Sequence, residues 1–170
     1  MLVKIIVSTI FIFFTFSGLV ISQPRHVKGM QMGGVVLSHS PSQVTAGVVY
    51  QRYLSDVLSL KCNGFFQSIT KGTTTYTNYI VNPEALYAIG NKNALYVNLK
   101  AGFFVGSGFA KSEIVSKKSF FVGEEVGFNV ELFIVPKFKV DLDLNQQFYQ
   151  KALFANYTYG FKVSLLYCLN

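Results

Sequence analysis

The 170-residue chain is 51% hydrophobic, carries 17 Phe and 10 Tyr, and sets 15 Lys+Arg against 8 Asp+Glu. That length holds one domain with an interior of its own. The lysines are scattered, with no basic cluster interleaved with aromatics on one element. This argues against a nucleic-acid groove, and no later apolar block is long enough for a helical membrane bundle.

The one continuous apolar run lies at residues 5–21, behind Lys4 and ahead of Ser22. A basic start, an apolar stretch and compact residues at Val20 and Ser22 predict a secretory signal peptide over 1–22, with a mature domain at 23–170. The alternative is an uncleaved membrane anchor. No cysteine follows the apolar run, which argues against a lipoprotein.

From there the chain reads as eight strands divided by turn signals: 28–38, 43–54, 57–68, 74–90, 94–105, 119–134, 137–148 and 155–169. The clearest is Lys137-Phe138-Lys139-Val140-Asp141-Leu142-Asp143-Leu144-Asn145, which alternates polar and large apolar residues without a miss. A strand turns successive side chains to opposite faces. One face therefore holds Phe138, Val140, Leu142 and Leu144, and the other holds the lysines, aspartates and asparagine. A soluble sheet would point the charges to water, whereas a membrane barrel points them inward and gives the apolar face to lipid.

Connection lengths bear on that choice. Tight turns are expected at Leu54-Ser55-Asp56, Asn91-Lys92-Asn93 and Val135-Pro136. Longer connections are expected at 39–42, 68–74, 106–118 and 147–154. Short periplasmic turns alternating with longer outer loops are typical of outer-membrane barrels. The faces agree. The fifth strand presents Leu95, Val97, Leu99, Ala101, Phe103 and Val105 to one side. The sixth presents Val126, Phe128, Val130 and Leu132, and the eighth Tyr157, Tyr159, Phe161, Val163, Leu165 and Tyr167. Val48, Val49 and Tyr50 break the period of the second strand.

The inward set is Lys61, Lys100, Lys139 and Lys162 against Glu84, Glu125, Glu131, Asp141 and Asp143. Unpaired charges in a narrow barrel are costly. The near balance predicts a lumen plugged by ion pairs, since eight strands enclose little more than their own side chains.

Catalytic chemistry finds little support. His39 beside Ser38 and Ser40, with Ser112 and Glu113 in another loop, could form a Ser/His/acid set at the outer rim. A polar loop carries such residues without any chemistry, so no enzyme is expected. Asp141 and Asp143 share a face with lysines, which predicts ion pairs and not a metal or acid/base pair. Glu124-Glu125 straddles both faces. The glycines at 33, 34, 102, 106 and 108 precede no helix and mark bends or crowded points, not a phosphate loop. Thr73-Thr74-Thr75 and Lys117-Lys118 read as solvated loop. Cys62 and Cys168 sit in different strands on opposite faces, which does not favour a disulfide, and neither has a histidine at metal-ligand spacing.

Across most of the mature chain the order of features resembles the TraO family of conjugative-transposon transfer proteins. The stretches that carry the likeness are Val27-Lys28-Gly29-Met30, Asn82-Pro83-Glu84-Ala85-Leu86-Tyr87, Asn98-Leu99-Lys100-Ala101-Gly102, Gly123-Glu124-Glu125-Val126-Gly127 and Tyr159-Gly160-Phe161-Lys162-Val163. The C-terminus departs from the usual barrel pattern by ending Cys168-Leu169-Asn170, although Tyr167 is close by. The resemblance implies a structural part of a DNA-transfer (mating) apparatus in the outer membrane, with transfer proteins as partners and no catalytic residues.

The expected protein is all-β: an eight-stranded antiparallel up-and-down transmembrane barrel of outer-membrane type, without cofactor, bathed in outer-membrane lipid. Lipid contacts are expected from Leu95, Val97, Leu99, Phe138, Val140, Leu142, Leu144, Tyr159, Phe161, Val163 and Leu165. The alternatives are a generic surface barrel for adhesion or envelope integrity and a soluble periplasmic barrel holding an apolar ligand.

Overall fold

The computed structural model describes residues 26–40, 43–111, 116–150 and 157–170. Eight strands close into one barrel in chain order: β1 (Gln31–Ser40), β2 (Gln43–Tyr53), β3 (Leu58–Lys71), β4 (Thr74–Lys92), β5 (Leu95–Lys111), β6 (Ser116–Val135), β7 (Phe138–Gln150) and β8 (Tyr157–Cys168). Every neighbouring pair is antiparallel, and β1 closes against β8 through Met32–Leu37 and Val163–Cys168. Closure removes the free sheet edge along these rungs. A membrane demands this, because an unpaired backbone group in lipid costs several kcal/mol.

Two of the tight hairpin turns are made by residues that accept a left-handed backbone. Asn93 (φ 56°) turns β4 into β5, and Gly72 (φ 58°) turns β3 into β4; asparagine and glycine adopt this region with least penalty. Pro83 lies inside β4, where it has no N–H for the ladder to β5. The Asn82 side chain supplies the missing donor, its Nδ2 standing 3.1 Å from the Phe103 carbonyl oxygen.

Several boundaries move from the sequence expectation. The connection expected over 68–74 is a two-residue turn at Gly72 and Thr73, with Thr74 and Thr75 already in β4. The loop expected over 106–118 is strand as far as Lys111 and again from Ser116, so Lys117 and Lys118 belong to β6. His39 and Ser40 lie in β1, and β7 runs on to Gln150. Lys137 falls in the turn before β7. The marked inequality is therefore in strand length more than in loop length: β4, β5 and β6 have 19, 17 and 20 residues, while β1, β2 and β8 have 10, 11 and 12. The expected signal segment 1–22 lies outside the described residues, as do Ser112 and Glu113.

Candidate functional site: the ion-paired lumen and the apolar belt

Alternation sends every second residue of each strand into the lumen, where side chains from all eight strands meet in three layers. The middle layer is charged. Lys61, Glu84, Lys100, Glu125, Glu131, Lys139, Asp141, Asp143 and Lys162 all point inward, and none is more than 5% exposed. Lys61 Nζ stands 3.1 Å from Asp141 Oδ2 and 2.9 Å from Asp143 Oδ2. Lys100 bridges Glu125, Glu84 (3.4 Å) and Asp143 (3.2 Å), and Lys162 reaches Glu125 at 3.2 Å. Lys139 lies 2.9 Å from Glu131 and 3.0 Å from Asp141. The Asp141 contact is an ion pair off the hydrogen-bond direction, since that oxygen accepts no hydrogen bond.

Neutral side chains complete the coordination. Asn63 donates to Glu84 at 3.0 Å, Asn129 to Asp143 at 3.2 Å, and Gln147 to Glu125. Gln51 and the Tyr53 hydroxyl donate to Glu131 at 2.8 and 2.9 Å, and both accept from Lys139. Such multiple bonding is what allows a carboxylate to stay buried, because an unpaired buried ion carries a desolvation cost of several kcal/mol.

Apolar layers close the charged one above and below. At the end that holds both described chain termini, Met32, Val49, Tyr53, Ala94, Tyr96, Phe133, Leu166 and Cys168 form one cluster. At the opposite end, Val36, Phe65, Ile69, Ile80, Phe104, Phe121 and Tyr149 form another. Where charge meets apolar packing, lysines lie over ring faces: Lys162 is 4.9 Å from the Phe65 centroid and Lys139 5.4 Å from that of Tyr53. Glycines make room for the rings, because a Cβ on Gly123 would run into the Phe104 ring and one on Gly106 into Phe121. Val49 points inward with its cluster while Val48 and Tyr50 face out, which resolves the broken period of β2.

His26, just ahead of β1, was not anticipated. Its ring is buried in the mouth at the terminus end, stacked 3.7 Å on Tyr96. Nε2 lies 2.7 Å from Glu131 Oε2 and Nδ1 lies 3.1 Å from the Asp56 carbonyl oxygen. Both ring nitrogens face acceptor oxygens, so the ring ties the charged layer to the 54–57 turn at this end of the barrel. Only a histidine preceding the first strand could have hinted at this in the sequence.

The outer face is apolar. Leu95, Leu99, Leu142, Leu144, Tyr159, Phe161 and Leu165 are exposed, and Val97, Phe138, Val140 and Val163 are half-buried beside them. Tyr87 and Tyr167 stand towards the terminus end of this stripe, and Tyr79 and Tyr159 towards the other. Glu124 faces out where Glu125 faces in. Cys62 is exposed and Cys168 buried, and both are free thiols. The side chain of His39, like Ser112 and Glu113, lies outside what is described.

No protein-family model matches the chain, and no curated protein matches it in sequence. Solved structures do match in shape. The N-terminal β-barrel domain of Pseudomonas aeruginosa OprF is similar with a TM-score of 0.63 at 11% identity, over 82% of this chain and 98% of that domain. Neisserial surface protein A gives 0.63 at 12% identity, over 81% of this chain and 94% of that one. Ail, the attachment invasion locus protein of Yersinia pestis, gives 0.56 at 10% identity, over 84% and 99%. At such identities the likeness is one of fold: the closed eight-stranded barrel of small outer-membrane proteins.

Proposed function

We propose that this chain is a small outer-membrane surface barrel with a structural or adhesive role in the envelope, that it is not an enzyme, and that its lumen does not conduct. The observation that carries this reading is the inverted layout, in which an apolar belt with tyrosines at both edges surrounds a fully buried charged interior. Such a belt is stable against hydrocarbon and costly against water. The same layout weighs against a soluble ligand-binding barrel, because charge and aromatic rings fill the space an apolar ligand would need. The likeness to proteins named for the cell surface and for attachment supports the surface role.

Two measurements test it. Unboiled protein extracted in detergent migrates apart from boiled protein, and it precipitates when detergent is withdrawn; equal migration with solubility in plain buffer defeats the membrane reading. In planar bilayers the protein gives no stable large conductance, and a steady open pore defeats the plugged lumen.

A place in a conjugative DNA-transfer apparatus, contacting other transfer proteins, is the second reading. It is favoured by the stretches from Val27 to Val163 that resemble the TraO family. Deletion of the gene abolishes mating on that reading and leaves mating intact on the first.

A further inference from the structure

The outer stripes are first interrupted by polar residues, at Ser107 on β5, Glu124 on β6 and Gln146 on β7, and the strands run on past them with exposed Phe109, Phe120 and Phe148. A tilted strand crosses the hydrocarbon in about 9–11 residues. The six pairs from Gly106↔Phe121 to Lys111↔Ser116 therefore rise roughly 15 Å above the belt as a projecting wall. This wall stands at the end away from the chain termini, the side that faces outward in such barrels.

The wall carries an unusual outer face. Lys111 and Lys118 both point outward at its top, on adjacent strands and in diagonal register, since Lys118 pairs with Phe109 two residues before Lys111. Diagonal partners stand about 7–8 Å apart. Both are exposed, and among the described residues neither is ion-paired; the nearest described carboxylate on that face is Glu124, three outward positions down β6. Like charges so placed repel unless an anion lies between them. Below them is an aromatic floor of exposed Phe66, Tyr79, Phe109 and Phe120, with Tyr79 packed edge-on against Phe66 and Phe109. Lys118 Nζ is held 5.0 Å over the Phe109 ring.

We propose that this outer face binds the phosphorylated saccharide headgroup of an outer-leaflet glycolipid, with the phosphate between Lys111 and Lys118. Three features select that occupant and rest on the membrane reading above. The lysines face sideways, towards the neighbouring lipid, and not up into the medium. The aromatic floor is continuous with the belt that holds acyl chains. Two ammonium groups match a phosphomonoester, which carries about −1.5 to −2 charges at neutral pH, better than a singly charged phosphodiester.

The test uses the full-length protein in phosphatidylcholine nanodiscs, after heat-modifiable gel migration has shown each variant to be a folded barrel. Retention by native mass spectrometry is compared for bisphosphorylated lipid A, the same lipid treated with phosphatase, and phosphatidylglycerol. At about 1 kcal/mol per lysine, Lys111→Gln with Lys118→Gln weakens lipid A retention roughly thirtyfold. Removing the phosphates does the same to the wild type. The control pair Lys92→Gln with Lys137→Gln, at the opposite end, has no effect. The proposal is overturned if the first pair binds like wild type, if phosphatidylglycerol is retained equally well, or if soluble heparin competes away all lipid retention. Loss of heat-modifiable migration in the wild type instead overturns the membrane reading on which the site rests.

Discussion

On β7, Leu142 faces out between Asp141 and Asp143, which face in, so neighbours in sequence live in opposite solvents. The outer position is defined by polarity alone: Leu142 needs no particular partner, and another large apolar residue would serve. The inner positions are defined by geometry, because Asp143 answers to Lys61, Lys100 and Asn129 at once. The belt therefore tolerates any exchange that keeps it apolar. The lumen tolerates almost none that alters a charge.

Breaking the inner side should cost most. Lys61→Met leaves Asp141 and Asp143 without their shared cation, and removing one partner of a buried pair costs about 3–5 kcal/mol. Urea unfolding in vesicles will measure the loss, and a change below 1 kcal/mol would mean that the network is not stabilising. Next comes the outer side: Leu142→Arg near the middle of the belt is expected to cost about 2–4 kcal/mol and to reduce the heat-modifiable fraction. The same substitution at exposed Val57, in the turn before β3, should leave that fraction unchanged. His26→Ala removes two hydrogen bonds, one of them to a carboxylate, for a loss of about 1.5–3 kcal/mol. Faster amide exchange in the 54–57 turn should accompany it, because the Asp56 carbonyl loses its ring partner. The smallest effect is expected where the lumen charge is already outnumbered by partners: Asn63→Ala deprives Glu84 of one donor but leaves Lys100, at about 1 kcal/mol.

How much of this was readable before the structure depended on which residue types alternate. Lys139, Asp141 and Asp143 flank apolar neighbours, so their shared face is visible in the sequence. Phe104, Phe121, Phe133 and Tyr149 are lumen residues that look like belt residues, because an aromatic ring fits either solvent. The apolar end layers were therefore hidden. The projecting wall was hidden for a related reason: Gly106, Ser107 and Gly108 carry a loop signature, yet the glycines are there to clear space for Phe121 and Asn78. The short connection at Gly72 was masked by the polar run of threonines around it. His26 lies outside any periodic segment and leaves no pattern at all.

The ladder between β5 and β6 has 17 rungs, and the one that joins β8 to β1 has only six, from Met32↔Cys168 to Leu37↔Val163. A cylinder made from a ribbon has one join, and here the join is also its weakest line. A ribbon already hydrogen-bonded from β1 through to β8 would need only those six rungs to become a tube, so the fastening step is short and local. By the same token the tube has a preferred tear line. Under pulling force or heat it should split there first, and its backbone amides should exchange there before those of the wall.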